Sequence, residues 1–213
     1  MTLTRALPLA GCLLFAAACG NRYGRRVPDE LLEKLPYETR IELLEAENSL
    51  AVAIDRMDEV ANEINRARDN LRRAKDRRGA AEDEVDKATD ATSKEVAQLA
   101  VDEANARVDY LRARQKVNVA NEDVEELALR CAFAEFEVAR LQAARKAKVE
   151  GSEKLAVEDF DKQVKDCKDE VTSMKNEMKD REQTATQAKD EWDKRKTALA
   201  KKTFDARASP YVE

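Results

Sequence analysis

The chain has 213 residues, of which 39% are charged and 5% aromatic, with five Gly, four Pro and no His. That balance excludes His-dependent catalysis and His-based metal sites, and it suits long helices better than a compact enzyme. A formal charge of -5 also argues against binding through phosphate neutralisation, so nucleic acid is not an expected partner.

Residues 1 to 5 carry one basic side chain, Arg5, and the thirteen residues Ala6 to Ala18 carry no charge before Cys19. Such a run is too short to span a bilayer as a helix and reads as a secretory signal peptide over 1–18. Ala16-Ala17-Ala18-Cys19 resembles the lipobox of bacterial lipoproteins, with Ala16 in the place usually held by Leu. Leu9-Ala10-Gly11-Cys12 matches the letters more closely but leaves a shorter apolar core before the cut. The resemblance implies acylation at Cys19. By the same resemblance Gly20, standing where an Asp would retain the product at the inner membrane, implies the outer membrane, facing the periplasm. Ala16-Ala17-Ala18 also satisfies the small-x-small rule of ordinary signal peptidase, which would release a soluble chain. Residues 19–37 read as a tether with a short helix over 29–35, opened by Pro28, Asp29 and Glu30 and stopped by Pro36.

From residue 38 the apolar residues recur every 3.5 positions. Leu43, Leu50, Met57, Ile64, Leu71 and Val85 occupy one heptad position and Ala46, Ala53, Val60, Ala67, Ala74 and Ala81 the other, which predicts a helix over 38–90 running through Gly79. Thr92 with Glu95 makes a capping box for a second helix over 93–148, and Ser152 is placed to cap a third over 152–204. The tail is 205–213. Short connections make neighbours antiparallel. The seams then set Leu43 opposite Leu141, Leu71 opposite Ala113, Ala74 opposite Tyr110, Val138 opposite Phe160 and Ala106 opposite Trp192. The expected architecture is all-α, an elongated antiparallel three-helix coiled-coil bundle roughly 70 Å long at about 1.5 Å per residue. In build alone it resembles a spectrin-type repeat.

The same register sets Glu103 between Arg78 and Arg195 as a buried polar layer, and brings Cys131 opposite Cys167. The two thiols are either small buried apolar residues or, in an exported chain, a disulfide. The second helix also carries apolar residues off its seam. Ala97, Val101, Ala104, Val108 and Leu111 follow a 4-3-4-3 spacing, and Leu129, Phe133 and Phe136 follow at helical spacing. This outer face is expected to take a protein partner or a second copy, with the Leu31, Leu32, Leu35 segment as an alternative cover for the two phenylalanines.

No CxxC pair, Gly-rich phosphate loop or GxSxG is present, and no carboxylate pair stands out, so no catalytic residue, metal ligand, cofactor or small-molecule substrate is expected. The expected function is a non-enzymatic, outer-membrane-anchored scaffold or adaptor, bound to the membrane through its N-terminal lipid. A soluble periplasmic holdase and an accessory helical part of a transport or motility machine are the alternatives. Likeness to the murein lipoprotein stops at lipid plus coiled coil, since that family ends in a wall-linked lysine and this chain ends Tyr211-Val212-Glu213.

Overall fold

The computed structural model describes residues 24–203, so the signal peptide 1–18, Cys19 and the tail 205–213 lie outside the described residues. Four α-helices follow in order: α1 (Asp29–Leu32), α2 (Tyr37–Lys87), α3 (Ala91–Lys146) and α4 (Val157–Thr203). The fold is all-α, with the three long helices packed against each other and no strand among the described residues.

The helix ends show which local signals acted. α1 stops after one turn instead of reaching residue 35, because Pro36 disfavours helical backbone at Leu35. The carbonyls left open at Glu33 and Leu35 accept from the Arg40 guanidinium. α2 passes through Gly79 unbroken. α3 is capped by Asp90 and not by the expected Thr92 and Glu95 box. The Asp90 carboxylate accepts the Thr92 and Ser93 N–H groups at 3.0 and 2.9 Å and the Ser93 hydroxyl at 2.5 Å. Asp outcompetes Thr here because it offers two oxygens to the open N–H groups of the first turn.

The far end of α3 closes as a Schellman turn. Lys148 takes the left-handed conformation (φ 54), its N–H reaches the Arg145 carbonyl, and the Val149 N–H reaches Ala144. Gly151 (φ 96) then leads into a single 3-10 turn, Ser152–Lys154, before α4 begins at Val157. Ser152 is therefore not the cap of the last helix. It is buried inside the connection, and α4 starts five residues later than expected.

The chain divides into two compact units, each drawing on all three long helices. One takes Ala53 and what precedes it together with Leu127–Asp169. Its core gathers Val27, Leu31, Leu35, Leu43, Leu141, Ala144, Val149 and Phe160. Leu43 and Leu141, expected opposite each other, share this core, and so does Phe160, with its expected neighbour Val138 packed against it. Residues 24–36 are not a loose tether. They lie as a strap on the unit, with Val27, Leu31 and Leu35 buried.

The second unit takes Ile54–Glu126 and the chain from Glu170 onward. Here Leu71 and Ala74 of α2 pack with Val108 and Leu111 of α3; the expected Tyr110 packs against this cluster, half-buried, while the expected Ala113 is not part of it. Trp192 of α4 lies over Glu103, Arg107 and Tyr110, while Lys202 pairs with Glu95 and Arg195 with Asp102. Partner numbers fall along α3 as they rise along α4, so these two helices run antiparallel in this unit.

Candidate functional site

Three features were expected on the described residues: a thiol pair, a buried polar layer and an open apolar face. Cys131 and Cys167 are joined in a disulfide with Cα atoms 5.6 Å apart, stapling α3 to α4 in the first unit. A bridged pair neither attacks a substrate nor ligates a metal as thiolate.

The polar layer does not form as a cluster. Glu103 alone is buried, and its carboxylate accepts the Trp192 indole N–H at 2.6 Å. Tyr110 stacks on the indole at 5.5 Å, and Arg107 lies 5.2 Å from its centroid. Arg78 pairs along its own helix with Glu82, and Arg195 pairs with Glu191 at 2.7 Å, its side chain half exposed. Long cations keep their heads in water when a neighbour allows it, whereas the indole brings one donor and an apolar body into the core.

Beside Trp192 an open cleft of about 430 Å³ is lined by Asp102, Asn105, Asp109, Glu191 and Arg195. Its carboxylates are taken: Asp102 and Glu191 by Arg195, Asp109 by Arg112. The Arg195 hydrogen bond holds the Glu191 carboxyl below its ordinary pKa, so this carboxylate stays charged at neutral pH and has no proton to donate. The cleft is a laced, solvated surface. No group of three or more His, Cys, Asp and Glu is placed to hold a metal ion among the described residues.

The expected outer face of α3 is corrected over its first stretch, Ala97 to Leu111. Ala97, Ala104, Val108 and Leu111 are buried within the chain, and Val101 is half-buried. α3 is covered on two sides in the second unit: Val108 and Leu111 meet α2, and Glu103 and Arg107 meet α4. A helix covered on two sides needs two apolar stripes, so the second one is core. Leu129, Phe133 and Phe136 are half-buried, and Arg140 lies 5.5 Å over the Phe136 ring.

The strap covers this end of α3 through polar contacts as well. The buried Glu137 carboxylate accepts the Val27 N–H at 2.7 Å and an Arg140 N–H at 2.5 Å, and Arg140 also donates to Asp29. Gln163 accepts the Arg25 N–H at 2.9 Å, and Arg25 pairs with Asp159. Gly24, at φ 82, has no room for a Cβ against Gln163.

The open apolar face lies instead at the start of α2, in the first unit. Tyr37, Ile41, Leu44 and Val52 are 74, 47, 56 and 45% exposed. The signal was present in the sequence as apolar residues at i, i+4 and i+7 from Tyr37, off the seam that carries Leu43. Among the described residues no helix is long and apolar enough to cross a membrane. Comparison with protein-family models, with curated proteins and with solved structures finds no match to this chain.

Proposed function

We propose that the chain is a lipoprotein of the bacterial envelope, acylated at Cys19, outer-membrane-anchored and facing the periplasm, whose long helices form an antiparallel three-helix coiled coil that serves as a non-enzymatic scaffold or adaptor. The observation that carries this reading is the basic start, uncharged run and Ala16-Ala17-Ala18-Cys19 ending of residues 1 to 19. The Cys131–Cys167 bridge supports it independently, because disulfides persist in oxidising compartments such as the periplasm. The strap gives the reading mechanical content. From Cys19 to Gly24 the backbone spans at most about 18 Å when fully extended, so a lipid at Cys19 holds the first unit close to the bilayer.

Intact mass of the mature chain after membrane fractionation tests the proposal. The expected species sits in the membrane fraction, begins at Cys19 and carries acyl chains. A soluble species with an unmodified N-terminus overturns it.

A further inference from the structure

The start of α2 presents an apolar ridge that the chain leaves open. Tyr37, Ile41 and Leu44 follow one another at i, i+4 and i+7, and Ala51 and Val52 return to the same side of the helix past the exposed Asn48, while Thr39 and Leu43 are buried on the other. Over residues 37–52 the ridge is roughly 23 Å long, about four helical turns. Its exposed flanks are acidic, with Glu38, Glu45 and Glu47. Two of the neighbouring cations are committed: Arg40 donates to the carbonyls of Glu33 and Leu35, and Lys146 is held by both carboxylate oxygens of Glu42 at 2.6 and 2.7 Å.

We infer that this ridge docks an amphipathic helix of a partner protein, one whose apolar stripe is bordered by Lys and Arg. The shape selects a helix. Every backbone group inside α2 is already hydrogen-bonded within it, so no edge is offered to an added strand, and side-chain rows at helical spacing receive another helix ridge into groove. The charge selects the border. A second copy meeting the same ridge two-fold would set carboxylates against carboxylates, and an interfacial helix resting on lipid carries Lys and Arg, not Glu, beside its apolar face. A basic border meets neither obstacle. This deepens the scaffold reading and rests on it, naming the kind of cargo it holds, but it does not depend on acylation at Cys19.

The test uses the full mature chain and three synthetic peptides of about four turns: a Leu stripe bordered by Lys and Arg, the same stripe bordered by Glu, and a scrambled version of the basic one. Titration calorimetry is expected to give binding to the basic amphipathic peptide at least tenfold tighter than to the other two. Ile41→Ser with Leu44→Ser should weaken it at least tenfold, and Glu45→Gln with Glu47→Gln should weaken it severalfold and flatten its salt dependence. Both substituted pairs are exposed, and circular dichroism confirms that the variants fold. Equal binding of the acidic or scrambled peptide, or variants that bind as the parent does, overturns the inference. So does self-association in sedimentation that Ile41→Ser and Leu44→Ser abolish, which makes the occupant a second copy, or flotation of the non-acylated chain with vesicles, which makes it lipid. Since the mass measurement reads anchoring alone, loss of one reading is separable from loss of the other.

Discussion

Removing the bridge between Cys131 and Cys167 gives the sharpest test of how the first unit is held. The two residues are 36 apart in sequence, and on the loop-entropy model closing such a loop in the unfolded chain is worth about 4 kcal/mol. Against a typical domain stability of about 5–15 kcal/mol this is a large share. Cys131→Ala with Cys167→Ala, or reduction of the parent chain, should therefore lower the urea midpoint by the equivalent of about 4 kcal/mol, and the two treatments should agree within about 1 kcal/mol. Because the effect acts through the unfolded chain, the urea slope should rise on reduction, as a less compact denatured state exposes more surface. Hydrogen exchange should place the loss first in Leu127–Asp169 and the start of α2, the unit that holds the bridge. An unchanged midpoint on reduction would refute the reasoning.

Trp192→Phe should cost about 2–3 kcal/mol by leaving the Glu103 carboxylate buried without its indole donor, and Glu103→Leu in that background should recover much of the loss; additive effects in the double-mutant cycle would contradict the coupling. Two backbone substitutions should stabilise by about 0.5–1 kcal/mol each in thermal melts: Lys148→Gly relieves a left-handed φ, and Gly79→Ala adds a Cβ that meets nothing within 4 Å inside an uninterrupted helix. Glu137→Ala should loosen the strap and speed tryptic cleavage after Arg25 and Arg26 by about tenfold or more, corresponding to the loss of the hydrogen bond that the Val27 N–H donates to this buried carboxylate; an unchanged cleavage rate would show that the apolar contacts of Val27, Leu31 and Leu35 suffice. At low pH the cap of α3 should fail. Hydrogen bonds from Ser93, its hydroxyl first, hold the Asp90 carboxyl below its ordinary pKa, so its contribution is complete above that ordinary value and is lost as pH falls through the depressed one. Glu153 is depressed likewise by its own N–H and that of Gly151, and Glu191 by Arg195. Asp90→Asn, which keeps an acceptor but does not titrate, should show a shallower acid-side fall in melting temperature than the parent; an identical slope would remove Asp90 from the account.

The composition and the 3.5-residue period by themselves determined that this chain is helical, that its long helices are three, and roughly where each begins and ends. Period and propensity are local properties, readable wherever ten or more residues agree. Even the sharing of one core by Leu43 and Leu141, and by Val138 and Phe160, followed from short connections and a constant register. What the period could not show was how many sides of α3 are covered. Its two apolar stripes were equally consistent with one core and one docking face, and only packing decided that Val108 and Leu111 belong to α2 while Glu103 belongs to Trp192. The same decision opened the ridge at Tyr37, Ile41 and Leu44, because a helix packed on one side leaves its other stripe to water. That the Leu31, Leu32, Leu35 segment could fold back on α3 was readable, but not the contacts that dock the strap, which join residues more than a hundred positions apart, Val27 with Glu137 and Arg25 with Gln163, and which no local pattern records. Local signals are short-range and set the elements, whereas the partner of each face depends on desolvation and charge pairing across the assembled chain, which only the tertiary structure fixes.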